Sequence, residues 1–409
     1  MKWGRRRSTC VVLFVGACTQ LPWARPNLAL ATQEETDLAA VVEGNTVFAL
    51  DLYDKLRTAE GNLFLSPYSI STALAMTYAG ARSETAAQMA DVLHFSLDQE
   101  ELHPAFAALE SSLEAASDAS GCRLHVANAL WGQQGHGFLT EFLALTQEHY
   151  GAGFREVDFG RATEQARQTI NAWVADQTER KIKELLLQGD VDPSTVLALT
   201  NAIYFKGDWA SQFDPGATID APFRISETEE VVVPMMRQTR KFALYEDDGL
   251  DVLELPYVGD RLSMLILLPK KTDGLTAVEE SLSRENLRMW LGQSRVQPVQ
   301  VSLPRFKLET RFDLSNTLQA MGMTDAFSGA AADFSGMTGQ RDLFISLVIH
   351  EAQVEVNEEG TEAAAATAVV MRKGPLPAAF TADHPFCFLI RDKETGSILF
   401  LGRVTNPGE

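Results

Sequence analysis

The chain has 409 residues, of which 45% are hydrophobic and 22% are charged, a balance typical of a folded globular protein. Its formal net charge of -20 excludes a nucleic-acid partner held by phosphate neutralisation, and it disfavours anionic lipid surfaces. No apolar run reaches the roughly 20 residues that a membrane span requires, so we expect no membrane span.

Residues 1–31 have the composition of an export signal, because basic residues without any acid precede the short apolar run Val11–Ala17. Val15-Gly16-Ala17-Cys18 resembles a bacterial lipobox, in which Cys18 would carry a lipid anchor. Cleavage after Ala29-Leu30-Ala31 is the alternative, and a frayed terminal extension is a third interpretation. We therefore expect a secreted or cell-envelope protein, with the choice of signal peptidase left open.

Helical patterns dominate the first half of the remaining chain. Leu38 to Leu56 has apolar residues at helical spacing, and Ser66-Pro67 has the cap and first-turn chemistry of a second helix that Gly80 can close. Ala162 to Leu187 predicts a further amphipathic helix.

Strand patterns dominate the second half. Leu262 to Leu268, Val299 to Leu303, Phe386 to Ile390 and Ile398 to Leu401 are short apolar or alternating runs, and Asp392 to Gly396 joins the last two as a hairpin. Helices followed by antiparallel-looking strands predict an α+β fold. No linker divides the chain, so we expect one domain over residues 32–409.

Motifs of catalysis and metal binding are missing from the sequence. It contains no Gly-x-Ser-x-Gly elbow, no His-Glu-x-x-His, no Cys-x-x-Cys and no phosphate-binding glycine loop. None of the seven histidines is paired at metal-ligand spacing. Cys122 and Cys387 are too few and too far apart for a disulfide framework. We therefore expect no catalytic residue, no metal and no cofactor.

The segment 345–380 is the most informative part of the chain. Ile345 to Val356 reads as a strand that Asn357-Glu358-Glu359-Gly360 interrupts. Small or apolar residues then follow at period two, which suits a strand that can enter a sheet; they are Thr361, Ala363, Ala365, Thr367, Val369 and Met371. A solvated helical loop is the alternative, because the run of four alanines favours a helix by propensity. Arg372 to Pro377 has the composition of an exposed, protease-accessible loop.

Several segments, in order and at family spacing, resemble the serpins. Glu358 to Thr367 is similar to the hinge of the reactive-centre loop of inhibitory serpins. Further similarities lie in Asn62-Leu63-Phe64-Leu65-Ser66-Pro67-Tyr68-Ser69-Ile70-Ser71, Asn201-Ala202-Ile203-Tyr204-Phe205-Lys206-Gly207-Asp208-Trp209, Phe312-Asp313-Leu314, Met321-Gly322-Met323, Asp333-Phe334-Ser335-Gly336-Met337, His384-Pro385-Phe386 and Phe400-Leu401-Gly402-Arg403-Val404.

The resemblance implies helices packed around three β-sheets, with a reactive-centre loop at about 357–380. It also implies a suicide mechanism, in which a serine protease attacks the loop and the cut loop then enters the main sheet as a new strand, a known case of strand addition. The partner would be one protease molecule, held in a 1:1 covalent complex by a monomeric inhibitor.

Site residues follow from the resemblance by position. The hinge comprises Glu358, Gly360, Thr361, Ala363, Ala365 and Thr367. The shutter, where the sheet opens, comprises Ser66, Ser69, Asn201 and His350. Trp209 belongs to the breach at the end of the sheet. Small hinge residues suit rapid entry into a packed sheet, because large ones would overpack it.

The scissile bond is less well defined. Family spacing from Gly360 puts Gly374 on the acyl side, but Pro375 would hinder attack on that bond. Arg372 and Lys373 are better substrates, since a trypsin-like protease pairs a long cation with its acidic pocket. We therefore expect a trypsin-like target.

Two other classes of function stay open. A non-inhibitory serpin, acting as a binding protein or chaperone, would be cleaved without forming a complex. A hydrolase would turn over esters, but it has no sequence support. The acid excess argues against activation by a polyanionic polysaccharide.

Overall fold

The computed structural model describes residues 1, 4, 32–120, 122–151, 153–360 and 376–408. Within these ranges the strands are β1 Leu63–Leu65, β2 Arg123–Gln133, β3 Phe154–Val157, β4 Leu197–Lys206, β5 Ile219–Arg224, β6 Glu230–Glu246, β7 Leu250–Pro256, β8 Leu262–Pro269, β9 Arg295–Pro304, β10 Phe306–Asp313, β11 Leu347–Val356, β12 Ala378–Thr381, β13 Phe386–Asp392 and β14 Ile398–Val404.

The helices within the same ranges are α1 Gln33–Leu56, α2 Pro67–Tyr78, α3 Ser83–Leu93, α4 Gln99–Ser120, α5 Thr140–Tyr150, α6 Phe159–Gln177, α7 Leu275–Ser281, α8 Arg284–Gln293, α9 Ser315–Met321 and α10 Ser335–Thr338. Two short 3-10 turns, Pro215–Ala217 and Asp325–Phe327, complete the described elements.

Sheet A contains five strands in the order β10-β11-β4-β2-β3. Its centre is the parallel pair of β4 and β11, whose ladder runs from Ala198 opposite Leu347 to Phe205 opposite Val354. Nearly every residue of both strands is buried, as expected for parallel strands covered on both faces. Since the two strands are parallel, the chain leaves β11 beside the end of β4.

Sheets B and C share the long strand β6. Sheet B runs β1-β14-β13-β8-β7 and continues into the end of β6, whereas sheet C contains β5, β6, β9 and β12. The expected α+β architecture of helices around three sheets is therefore confirmed.

Sheet A lies between two hydrophobic clusters. The larger contains Phe48, Leu74 and the strands of sheet B, and the smaller contains Trp131 and Ile170 under α6. Any strand added to sheet A must therefore fit side chains into packed hydrophobic surroundings on both faces.

The helix expected over Ala162 to Leu187 is partly wrong, because α6 begins at Phe159 and ends at Gln177. The Thr178 hydroxyl donates to the Val174 carbonyl and accepts from the Ile182 amide, which closes the last turn. Glu179 and Arg180 then adopt positive φ angles, which a helix cannot continue through. The segment after α6 crosses sheet A as turns.

Among the described residues, no helix is both long and apolar enough to cross a bilayer. The same residues contain no group of three or more His, Cys, Asp and Glu side chains arranged to hold a metal ion. In the part of the chain that the structure describes, Cys122 and Cys387 are both buried and form no disulfide.

Candidate functional site

The turn after β11 is fixed to the segment that follows β4. Gly360 has φ 89°, and a Cβ added there would lie 2.3 Å from the Trp209 amide nitrogen. Only glycine avoids both the strained backbone and this contact. The Trp209 amide donates to the Glu359 carbonyl at 3.1 Å, and the Phe213 amide donates to the Glu358 carbonyl at 2.9 Å.

The Glu358 side chain is buried and forms an ion pair with Arg305. Arg305, which precedes β10, donates through Nε to both Glu358 oxygens at 2.8 and 2.7 Å, and the Thr218 hydroxyl donates to the same carboxylate. Burial alone would raise the pKa of Glu358, but the hydrogen bonds from Arg305 and Thr218 outweigh it and lower the pKa. Glu358 is therefore an anion at neutral pH.

Trp209 completes this group of contacts. Its indole Nε1 donates to the Asn357 carbonyl at 3.0 Å, and its ring stacks on Tyr257 with centroids 4.6 Å apart. We call Trp209, Thr218, Arg305 and Glu358 the upper clamp. It joins the end of β11 to the segment after β4, at the end of sheet A where both strands finish.

A second polar group lies at the middle of sheet A, beneath the β4–β11 junction. His350 is opposite Asn201 across the two parallel strands, and its Nδ1 hydrogen bonds to the side-chain oxygen Oδ1 of Asn201. His350 Nε2 accepts the Ser66 amide proton at 3.1 Å, and the Ser66 hydroxyl donates to the Leu399 carbonyl at 2.7 Å. These bonds link sheet A to the start of α2 and to β14.

The network extends to the next strand through Asn128 on β2. Asn201 Nδ2 donates to Ser69 Oγ at 2.5 Å and also to the side-chain oxygen Oδ1 of Asn128. Ser69 Oγ donates to the same Asn128 oxygen at 3.0 Å, and Asn128 Nδ2 returns a bond to the Ser69 carbonyl at 3.2 Å. We call Ser66, Ser69, Asn128, Asn201 and His350 the mid-sheet cluster.

His350 is neutral in this cluster. Burial lowers its pKa to about 3, because the low-dielectric interior disfavours the charged imidazole. An Nε2 that accepts from an amide leaves the proton on Nδ1, where it is donated to Asn201. The ring is fully buried, so it orders the strands and does not present a base to a substrate.

The structure thus brings together all four residues expected at the shutter, and it puts Trp209, Glu358 and Gly360 in one contact group. Several other site residues lie outside the described residues: Cys18, Thr361, Ala363, Ala365, Thr367, Arg372, Lys373 and Gly374.

Sequence reasoning missed Asn128, Thr218 and Arg305. Asn128 carried a usable signal, because it is an amide within the otherwise apolar run Val126 to Trp131. Arg305 and Thr218 carried none, since their role depends on contacts with a residue that is distant along the chain.

The fold and these two polar groups define the class of protein. The family model described as "Serpin (serine protease inhibitor)" matches residues 43–407. The chain belongs to the serpin family, and its relatives are protease inhibitors rather than catalytic enzymes.

Curated relatives narrow the comparison. The chain is similar to the leukocyte elastase inhibitor of Homo sapiens, with 48% identity over 375 residues that cover 89% of this chain and 98% of the relative. The leukocyte elastase inhibitor of Bos taurus is 49% identical, with the same coverage of both chains. These similarities support inhibition of a serine protease as the activity.

Solved structures are also similar. Uncleaved ovalbumin matches with a TM-score of 0.81 and 32% identity, over 90% of this chain and 100% of that chain. Maspin matches with a TM-score of 0.84 and 30% identity, over 91% of this chain and 100% of that chain.

The expected secreted or cell-envelope localisation is wrong. The leukocyte elastase inhibitors, at 46–49% identity, are intracellular serpins without signal peptides. The prediction rested on the basic and apolar composition of residues 1–31. This composition is typical of export signals but is not specific to them.

Proposed function

We propose that the protein inhibits its target protease as a suicide substrate. The protease attacks a bond in the loop at about 357–380 and becomes an acyl-enzyme, and the cut loop then enters sheet A between β4 and β11. The observation that carries this proposal is the β4–β11 junction, where two parallel strands pair directly and end beside the departing loop. We further propose that residues 32–409 form one domain.

The length and composition of the loop support insertion. β4 and β11 each contain ten residues, and the ten residues from Thr361 to Val370 include no proline and no aromatic side chain. Thr361, Ala363, Ala365 and Thr367 would form one face of the new strand. Because both faces of sheet A are packed, small residues reduce the cost of entry.

For the target we propose a trypsin-like protease that cleaves after Arg372 or Lys373. A long cation suits the acidic specificity pocket of such enzymes, whereas Pro375 disfavours cleavage after Gly374. A second candidate is an elastase-like protease that cleaves after Val370 or Met371. It is favoured by the leukocyte elastase inhibitors among the relatives.

The test is a denaturing gel of the full chain after incubation with trypsin and, separately, with leukocyte elastase. Mass spectrometry of the released carboxyl-terminal peptide identifies the cleaved bond. A stable band at the summed mass with trypsin, and a peptide that begins at Lys373 or Gly374, supports the trypsin-directed inhibitor. A complex only with elastase, and a peptide that begins at Met371 or Arg372, moves the target to the second candidate.

One further outcome would overturn the inhibitor proposal itself. If both proteases cleave the loop without a complex, and the cleaved chain unfolds at the same temperature as the intact chain, the protein is a non-inhibitory serpin.

A further inference from the structure

A cavity of about 260 Å³ lies beside sheet A, at some distance from the upper clamp. Its walls come from α2, α4, β2, the end of α5 and the last turns of α6. Met76 and Trp173 provide apolar surface, while Glu110 and Glu114 provide two carboxylates.

The two carboxylates lie one turn apart on α4. Burial, and then the charge of Glu114, raise the pKa of Glu110 to about 7. Within the described ranges neither carboxylate has an ion pair or a hydrogen bond, and both line the cavity. Glu110 is half-buried, and such a carboxylate is costly unless a cation or a donor reaches it, whereas Glu114 is exposed at the mouth of the cavity.

The open edge of β2 adds hydrogen-bonding groups. The Leu130 amide donates to the Gly153 carbonyl at 2.6 Å, on the side of β2 that faces β3. Backbone groups of alternate residues point to the same side of a strand, so those of Val126 and Asn128 also do. Among the described residues, the ladder between β2 and β3 covers Leu130 to Gln133. The backbone of Val126 and Asn128 therefore meets the cavity.

Trp173 already contacts one planar cation. The Arg155 guanidinium carbon lies 5.0 Å from the centre of the Trp173 ring, a distance typical of cation–π contact. The indole is therefore held in place from one side by Arg155 and from another by Trp131, whose ring centroid is 5.5 Å away.

We propose that this cavity binds a small organic cation, with a guanidinium or ammonium head and a short apolar tail. The head pairs with Glu110 and Glu114, and its remaining N–H groups reach the backbone carbonyls at the edge of β2. The tail lies against Met76 and Trp173. A cation favours the ionised form of Glu110 and pairs with the charge of Glu114, whereas a neutral ligand does neither and an anion would be repelled.

Occupancy of this cavity is coupled to sheet A through Asn128. This residue lines the cavity and belongs to the mid-sheet cluster through its bonds with Ser69 and Asn201. A ligand that binds only the closed sheet stabilises it by mass action. The proposal does not depend on the inhibitory mechanism, since binding and unfolding are measured without a protease.

The test uses butylguanidinium as the probe and butylurea as its neutral control of the same shape. Isothermal titration of the full chain should give saturable 1:1 binding of butylguanidinium and none of butylurea. Butylguanidinium should also raise the unfolding midpoint. Affinity at least tenfold lower in Glu110→Gln, and unchanged in Glu101→Gln on the exposed first turn of α4, supports the site.

Three results would overturn the proposal. They are no saturable binding to the unsubstituted chain, equal binding of butylurea, and full affinity in Glu110→Gln. Circular dichroism verifies the fold of each variant. If Glu110→Gln does not fold, the butylguanidinium affinity of Glu114→Gln, at an exposed position, is compared with that of Glu101→Gln instead. Unchanged affinity in Glu114→Gln then contradicts the site.

Discussion

The upper clamp and the mid-sheet cluster both join β11 to β4, but they do so with different chemistry. The clamp depends on one ion pair, in which the Glu358 side chain is 4% exposed and that of Arg305 is 44% exposed. The mid-sheet cluster is neutral, and His350, Asn201, Ser66 and Ser69 are at most 1% exposed. Salt can therefore weaken the clamp, whereas the neutral cluster holds no charge for salt to screen.

The comparison also separates two roles in the proposed mechanism. The clamp lies where the loop would enter sheet A, and the cluster lies where the strands must part further along. A variant of the clamp can leave the cluster intact, and a variant of the cluster can leave the clamp intact. A variant of the hinge tests whether the cut loop enters sheet A at all.

The largest effect is expected from Thr361→Arg. Thr361 is the first of the small residues that would enter sheet A, and a long cation there cannot be buried without a partner, so insertion should be slower than release of the protease. The variant should be cleaved completely and form almost no covalent complex on a denaturing gel. Thr361→Ser is the matched control and should retain complex formation. Equal complex yields from both variants would contradict insertion beginning at Thr361.

Asn201→Ala should lower the free energy of the first unfolding transition by about 3 kcal/mol, because it leaves His350, Ser69 and Asn128 without a shared partner in a buried network. Urea unfolding followed by tryptophan fluorescence measures the loss. Asn316→Ala, an exposed asparagine on α9, should change it by less than about 0.5 kcal/mol. Similar losses in the two variants would contradict the importance of the cluster.

Arg305→Ala should lower the free energy of unfolding by about 2 kcal/mol. This is less than the loss expected for a fully buried ion pair, because Arg305 is half exposed. Lys307→Ala on the same segment is the control, with a side chain 60% exposed. Since the folded pKa of Glu358 is lowered, the stabilisation is present at neutral pH and is lost as the pH falls through that pKa. An equal cost at neutral pH and in acid would contradict the ion pair.

The smallest effect concerns Glu351, a buried carboxyl on β11 that faces Glu309 and Arg311 of β10. Burial and then Glu309 raise its pKa from 4.5 to about 7, with Arg311 acting in the opposite direction. The folded chain therefore keeps a proton that the unfolded chain releases, and stability falls as the pH rises from about 4.5 to 7.

Glu351→Gln should therefore raise the free energy of unfolding by about 1 kcal/mol at pH 8 and change it little at pH 5. Thermal unfolding at both pH values measures this, and Glu355→Gln, which is exposed on the same strand, is the control. A gain that is equal at both pH values would exclude titration of Glu351 as its cause.

Much of the fold could be predicted from the sequence, because its strongest patterns are local. The cap chemistry of Ser66-Pro67 and the apolar run Leu262 to Leu268 each correspond to an element of the structure. The end of α6 could not be predicted, because the helical pattern continues beyond Gln177 and the chain turns only through the bonds of Thr178.

Residues of the candidate site could be predicted from the sequence only where they lie within a family motif. Glu358 and His350 lie in such motifs, whereas Arg305 becomes part of the site through a contact 53 residues away along the chain. The prediction for residues 1–31 was wrong because it used amino-acid composition alone, and composition carries no information about packing or contacts.

The central claim is that the cut loop becomes a strand of sheet A, and thermal unfolding of the cleaved chain tests it most directly. The loop is cut with the protease identified on the gel, the protease is removed, and intact and cleaved chains are heated in parallel. Insertion adds a ladder of backbone hydrogen bonds and buries the hinge residues, so the cleaved chain should stay folded at temperatures that fully unfold the intact chain. Identical unfolding curves would contradict the account.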